Sequence, residues 1–154
     1  MSLTRLVSSF ALVFLAAFAG SAVTTPNISG WYQTLNKPTF NPPNYIFGPV
    51  WTLLYILMAI SFYLVWNSKS SKIKKRALQV FCLQLFLNLL WSFVFFGLHQ
   101  IFLSVVVIIA LFFSILYTVI LFKKISKTAA YLLIPYILWV SFASVLNICI
   151  LLLN

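Results

Sequence analysis

Pro26-Asn-Ile-Ser-Gly-Trp31-Tyr32-Gln-Thr-Leu35-Asn-Lys37-Pro38-Thr-Phe40-Asn-Pro42-Pro43-Asn44-Tyr45-Ile-Phe47-Gly48-Pro49-Val50-Trp51 carries a single charge, Lys37, and runs into an apolar segment that ends at Trp66. A structureless segment of this length is uncommon in a compact domain and is usually a lid, a binding loop or disordered. Trp31, Tyr32, Leu35, Phe40, Tyr45 and Phe47 are too apolar for disorder. The prolines stiffen the chain, so ordering it over a site loses less entropy. Residues 25–46 are therefore expected to form a lid packed over a pocket. Pro49 suits the first turn of the helix that follows, and Trp51, two residues on, is expected inside the pocket.

Composition decides what surrounds this segment. Of 154 residues, 64% are hydrophobic and only 6% charged, too few to build a soluble surface. The chain reads as an integral membrane protein. It has ten Lys or Arg and no Asp or Glu. That absence excludes general acid/base work by carboxylates, carboxylate-rich Ca²⁺ or Mg²⁺ sites and proton relays of intramembrane acids. It equally excludes small multidrug exporters that depend on a membrane Glu. Cys82 and Cys149 fall at opposite bilayer depths, too far apart to bridge, and are expected as buried apolar groups. With a single histidine, His99, no zinc or iron cluster is expected, and no cofactor.

A spanning helix needs about 20 apolar residues. Segments 6–24, 47–66, 77–96, 101–122 and 128–153 qualify, giving one all-α membrane domain over residues 1–154: a five-helix bundle with its lid between helices 1 and 2. Gly97-Leu98-His99-Gln100 is so short that the third and fourth spans must form an antiparallel pair. Nine of the ten cations fall on one side: Arg5, the cluster at residues 69–76, and Lys123, Lys124 and Lys127. Only Lys37 lies opposite. The positive-inside rule then places the N-terminus in the cytoplasm of a bacterial-type cell membrane, with the lid and C-terminus outside. The basic cluster reads as a topology determinant that touches anionic lipid, and no nucleic-acid partner is expected. The first span has two readings. Arg5, an apolar run to Ala16 and Ala17-Phe18-Ala19 resemble a signal peptide with its cleavage site. A retained helix would instead use Ala16 and Gly20 as a small-xxx-small step for close helix contact.

Polar and aromatic residues recur at helical spacing. Trp51, Tyr55 and Met58 share one face of the second span; Gln84, Asn88, Trp91 and Phe95 share one of the third; Trp139, Ala143 and Leu146 share one of the fifth, with Asn147 beside it. Amides facing lipid would lack partners, so Gln84, Asn88 and Asn147 should point inward. Cross-helix hydrogen bonding is the plainer reading for Asn88 and Asn147. Tyr63 and Trp66 read as interface-belt residues. The pocket would have aromatic walls and neutral hydrogen-bonding groups from Tyr32, Asn44, Tyr55, Asn88, Ser104 and Asn147. A flat, lipophilic ligand, stacked on indoles, fits such walls best. A net charge of +10 favours an anionic one.

Trp31-Tyr32-x-x-Leu35-x-Lys37-Pro38, Pro42-Pro43, Gly48-Pro49-Val50-Trp51-x-x-Leu54-Tyr55, Gln84-Leu85-x-Leu87-Asn88-x-x-Trp91 and Pro135-Tyr136-x-x-Trp139-x-x-Phe142-Ala143-x-x-Leu146-Asn147 resemble the translocator protein/TspO family. That family is also called tryptophan-rich sensory protein or peripheral-type benzodiazepine receptor, and this chain resembles its bacterial members. The resemblance implies a five-helix bundle, usually dimeric, that binds protoporphyrin IX and other tetrapyrroles and drug-like aromatic molecules. It implies a ligand site of Tyr32, Pro42, Trp51, Tyr55, Asn88, Trp91, Trp139, Ala143 and Leu146. Some bacterial members are credited with light-dependent oxidative breakdown of protoporphyrin, for which Trp51 and Trp139 would be the catalytic pair. The animal sterol motif, a Tyr followed by a basic residue, is missing from residues 146–154. Three functions follow as expectations: a receptor or sensor for porphyrin-like ligands, a protoporphyrin-degrading enzyme, and a transporter of tetrapyrroles or other lipophilic molecules. Membrane lipid and a second copy of the chain are the expected partners.

Overall fold

A computed structural model describes residues 2–154, and every regular element among them is helical. The helices are α1 (Leu3–Ile28), α2 (Trp31–Thr34), α3 (Asn44–Trp66), α4 (Lys72–Ser92), α5 (Ile101–Lys123), α6 (Lys127–Leu132) and α7 (Ile134–Leu153), with a π-helical turn, Phe93–Gly97, closing α4. Five segments are long and apolar enough to cross a membrane: Leu3–Ile28, Asn44–Trp66, Lys72–Gly97, Ile101–Lys123 and Lys127–Leu153. The expected five-helix bundle is present.

The basic residues gather at one end. Arg5 Nη1 donates to the Trp66 carbonyl at 3.4 Å, tying the start of α1 to the end of α3. Three helices begin at this end, and each has a serine cap: Ser2, Ser71 and Ser126 accept from the backbone N–H groups of Arg5, Lys74 and Ala129. A capping hydroxyl satisfies a donor that the first helical turn leaves orphaned. At the opposite end, here the loop end, α3 and α5 start without a side-chain cap.

The basic half is solidly packed. Phe81 has no exposed surface, lying 4.8 Å from the Phe62 ring and 5.8 Å from Phe122, which it stacks at 8°. Ala77, Ala129 and Ala130, also fully buried, let the helices close around these rings. Ser61 Oγ donates to the Ala129 carbonyl at 2.7 Å, joining α3 to α6. α1 belongs to the bundle: Val13, Ser9 and Gly20 are buried. A Cβ added at Gly20 would lie 3.5 Å from Ser92 Oγ, so the small-residue step serves a close approach to α4.

Several expectations are corrected. The segment 25–46 is largely helical at its ends, because α1 continues through Pro26 and α3 starts at Asn44; only residues 35–43 form an extended loop. Pro26 removes one helical donor near the end of its helix, and Asn27 Nδ2 bonds the Val23 carbonyl at 2.9 Å there. Pro49 consequently lies within α3, not in its first turn. The fifth span is broken at Leu133, since Pro135 has no N–H to continue the ladder. Tyr63 is buried, at 6% exposure, and is no belt residue: its face of α3 packs inward. Cys82 is exposed and Cys149 half-buried; both are free, on helix faces turned away from the core.

Candidate functional site

The loop half of the bundle encloses a cavity of about 400 Å³. Its wall is built by α1 (Phe14, Ala17, Phe18, Gly20, Ser21, Thr24, Thr25, Ile28), by α2 through Tyr32, and by α3 (Asn44, Phe47, Gly48, Trp51, Thr52, Tyr55). Trp91, Ser92, Phe95 and Phe96 complete it from the third span, and Trp139, Ala143, Leu146, Asn147 and Ile150 from α7. No wall residue carries a charge. Phe14, Phe18, Ser21, Thr25, Gly48 and Thr52 are exposed, whereas every wall residue from the third span and α7 is buried or half-buried. The cavity therefore opens along the seam between α1 and α3.

Helical spacing explains how the rings converge. Trp51 and Tyr55, one turn apart on α3, stack at 5.5 Å and 29°, and Trp51 meets Tyr136 edge-on at 6.2 Å. Trp139 packs edge-on to Phe47 at 6.0 Å and tilted on Phe142 at 5.6 Å. Trp91 stacks on Phe95 at 5.6 Å and 13°. Ala143, one turn beyond Trp139, leaves the volume that a larger side chain would fill.

Behind the wall lies a buried polar relay. Tyr55 Oη donates to Asn88 Oδ1 at 2.8 Å, and Asn88 Nδ2 donates to Tyr136 Oη at 3.2 Å, joining three spans through groups shielded from solvent. A second amide, Asn147, accepts at Oδ1 from Trp91 Nε1 at 2.9 Å and lies 3.1 Å from Ser104 Oγ. All three inward-pointing amides are buried as expected, Gln84 at 1% and Asn88 and Asn147 at 2% exposure. Gln84 finds no partner for Nε2 or Oε1 among the described residues.

Residues 35–43 are fastened across the loop end. Asn36 N–H donates to Asn154 Oδ1 at 3.0 Å, and Asn154 Nδ2 returns a bond to the Asn36 carbonyl at 3.0 Å. Tyr32 Oη donates to Asn41 Oδ1 at 2.7 Å. Burial pushes the Tyr32 phenol up to about 12, against the smaller opposing pull of that bond. Lys37, the one cation at this end, is spent on the carbonyls of Tyr32 and Leu35. On the other flank Trp31 stacks on His99 at 4.3 Å, and His99 Nε2 lies 3.1 Å from Asn27 Oδ1.

Of the nine residues expected at the site, seven share the wall: Tyr32, Trp51, Tyr55, Trp91, Trp139, Ala143 and Leu146. Two do not. Asn88 stands behind Tyr55, and Pro42 is held in the loop, where its carbonyl accepts from Asn41 Nδ2 at 3.1 Å. The wall supplied by α1 was missed. Its signal was the polar set Ser21, Thr24 and Thr25 within an otherwise apolar span, which has no reason to face lipid.

Five membrane-length helices around an uncharged aromatic chamber, half open at one seam, define a polytopic helical membrane protein with an internal cavity. The TspO/MBR family profile matches residues 9–153. The chain belongs to that family and is an integral membrane protein. It is 43% identical to tryptophan-rich protein TspO of Archaeoglobus fulgidus, covering 100% of this chain and 99% of that one. It is 34% identical to human translocator protein, over 88% of this chain and 82% of the other. Tryptophan-rich sensory protein of Cereibacter sphaeroides is likewise 34% identical, over 88% and 85%.

Proposed function

We propose that this protein is a membrane receptor or sensor that binds flat aromatic ligands, protoporphyrin IX and related tetrapyrroles above all, in the cavity of its loop half. The observation that carries this reading is the wall itself: Trp51, Trp91, Trp139, Tyr32, Tyr55 and Phe95 offer ring faces and uncharged dipoles, and nothing ionic. Pockets of this size and apolar character hold drug-sized molecules by stacking and a few placed hydrogen bonds. The open seam leaves room for the edge of a macrocycle. Residues 35–43 with Tyr32 act as the lid. The basic end lies in the cytoplasm and the loop end outside, as the charge asymmetry requires. The protein works as a homodimer in contact with bilayer lipid.

Titration of protoporphyrin IX in the dark, read by quenching of tryptophan fluorescence, tests the reading. Saturable quenching that weakens in Trp51→Phe and Trp139→Phe is the expected result. Quenching that is unsaturable, or identical in both variants, would remove the site.

A second reading, light-driven oxidative degradation of the pigment, draws on one observation. Trp51 borders the cavity and is backed by the Tyr55 phenol, so an oxidisable indole and phenol stand in series beside the ligand. The excited pigment and dioxygen would supply the oxidation, because the chain has no acid/base pair. Illumination of the same samples separates the two: pigment loss that needs protein, Trp51 and Trp139 supports the enzyme, and bleaching equal to a protein-free control leaves the receptor alone. Flux of the pigment across liposomes reports transport independently.

A further inference from the structure

Asn147 lines the cavity, and its Nδ2 is closed to solvent and has no partner among the described residues. Its orientation is fixed. The Trp91 indole N–H can only donate, so the atom it meets at 2.9 Å must be the amide oxygen, which settles which way round the amide lies. Ser104 Oγ, whose proton is shared with the Ile101 carbonyl at 2.7 Å, flanks the same oxygen at 3.1 Å. The amide is thus clamped by its oxygen, leaving both N–H bonds of the nitrogen unused in a residue only 2% exposed.

Both wall phenols are engaged within the protein. Tyr32 donates to Asn41 and Tyr55 to Asn88. Buried donors are normally satisfied, and an orphan signals a missing partner. The chain contains no carboxylate that could provide one. A ligand oxygen that parts the neighbouring side chains would supply the missing acceptor.

We infer that Asn147 is a specificity determinant of the cavity, selecting ligands that carry a carbonyl or carboxylate oxygen on one edge of an aromatic body. This rests on the reading of the cavity as a tetrapyrrole site. Asn147 lies eight residues beyond Trp139 on α7, a rise of about 12 Å toward the loop end. A macrocycle lying against Trp51 and Trp139 therefore reaches Asn147 only with its outward edge. The ligand is oriented by that contact, acceptor edge toward the lid and alkyl edge toward the packed half.

Three porphyrins test this on the full chain in detergent or nanodiscs: protoporphyrin IX, its dimethyl ester, and an all-alkyl porphyrin without oxygen. The ester keeps acceptors but has no charge, so it separates Asn147 from the attraction of a +10 protein for anions. Acid and ester should both bind wild type roughly tenfold or more tighter than the alkyl porphyrin. In Asn147→Leu that preference should collapse toward unity, whereas a merely structural loss would weaken all three equally and keep the ratio. Equal binding of all three to wild type, or a preference confined to the acid, overturns the inference while leaving the cavity a porphyrin site. Binding by none of them overturns the underlying site instead. The wild-type ratios decide the matter even if the variant fails to fold.

Discussion

In the basic half, Phe81 lies between Phe62 and Phe122 with no exposed surface; in the loop half, Trp51 and Trp139 border an empty space of about 400 Å³. Both halves use large rings and small residues. They combine them oppositely. In the basic half, alanines at 77, 129 and 130 sit where they draw the helices around the phenylalanines. In the loop half, Ala17 and Ala143 line the cavity and leave it unfilled. The rings differ too: phenylalanine has no polar atom, while Tyr32, Tyr55 and Trp91 of the hollow half are tethered to side-chain amides. Serine caps complete the helix starts of the packed half, and the hollow half has none on α3 or α5. Stability is thus concentrated at one end and ligand-sized volume at the other.

The sharpest way to break this contrast is to truncate one ring from each half. Phe81→Ala should lower unfolding stability by about 3–5 kcal/mol, because a fully enclosed ring leaves a cavity its neighbours cannot close. Trp139→Ala enlarges a space that already exists, so its unfolding midpoint should stay near wild type while porphyrin affinity falls roughly tenfold. Equal destabilisation in denaturation of purified protein would refute the division. Tyr55→Phe probes the boundary: Asn88 Oδ1 loses its donor in a buried setting, an expected loss of about 1–3 kcal/mol by the same assay. Asn154→Ala should cost about 1 kcal/mol or less and raise hydrogen exchange at residues 35–43, with exchange around Phe81 unchanged. The smallest effect concerns pH. With the Tyr32 phenol raised from 10.0 to about 12, the neutral form is the one the fold favours, so its contribution is complete below pH 10 and lost as pH climbs toward 12. Exchange of the 35–43 loop should be governed by intrinsic rates alone from pH 6 to 9 and accelerate beyond them only above pH 10.

The sequence carried the architecture further than it carried the cavity. Hydropathy marks a span wherever about twenty apolar residues run together, and it places the starts and ends of the second, fourth and fifth segments to within a few residues, while the third begins earlier, at Lys72, through its basic cluster. Proline misled in both directions. Pro26 and Pro49 suggested helix boundaries but sit inside helices, because packing in an apolar bundle tolerates one missing donor; Pro135 fell inside an expected continuous span and breaks it. Periodicity correctly turned Trp51, Trp91, Trp139 and Asn147 inward, since it reports which face a residue occupies. It does not report depth behind that face. Asn88 shares the stripe of Trp91 yet stands behind Tyr55, and Tyr63 lies one turn from the helix end yet is buried. Which helix closes the chamber's remaining side depends on how far α1 splays from α3, a tertiary property that leaves only Ser21, Thr24 and Thr25 as its trace.

The aperture between α1 and α3 also fixes which phase the chamber samples. Its rim consists of Phe14, Phe18, Ser21, Thr25, Gly48 and Thr52, all on two membrane-length helices, with Phe14 and Phe18 near the middle of α1. On the proposed reading, a hydrophobic solute would reach that rim from lipid, and its occupancy would follow its abundance in the bilayer. The membrane would then act as a reservoir, and two solutes with identical contacts inside the chamber would fill it unequally if they dissolve unequally in fat.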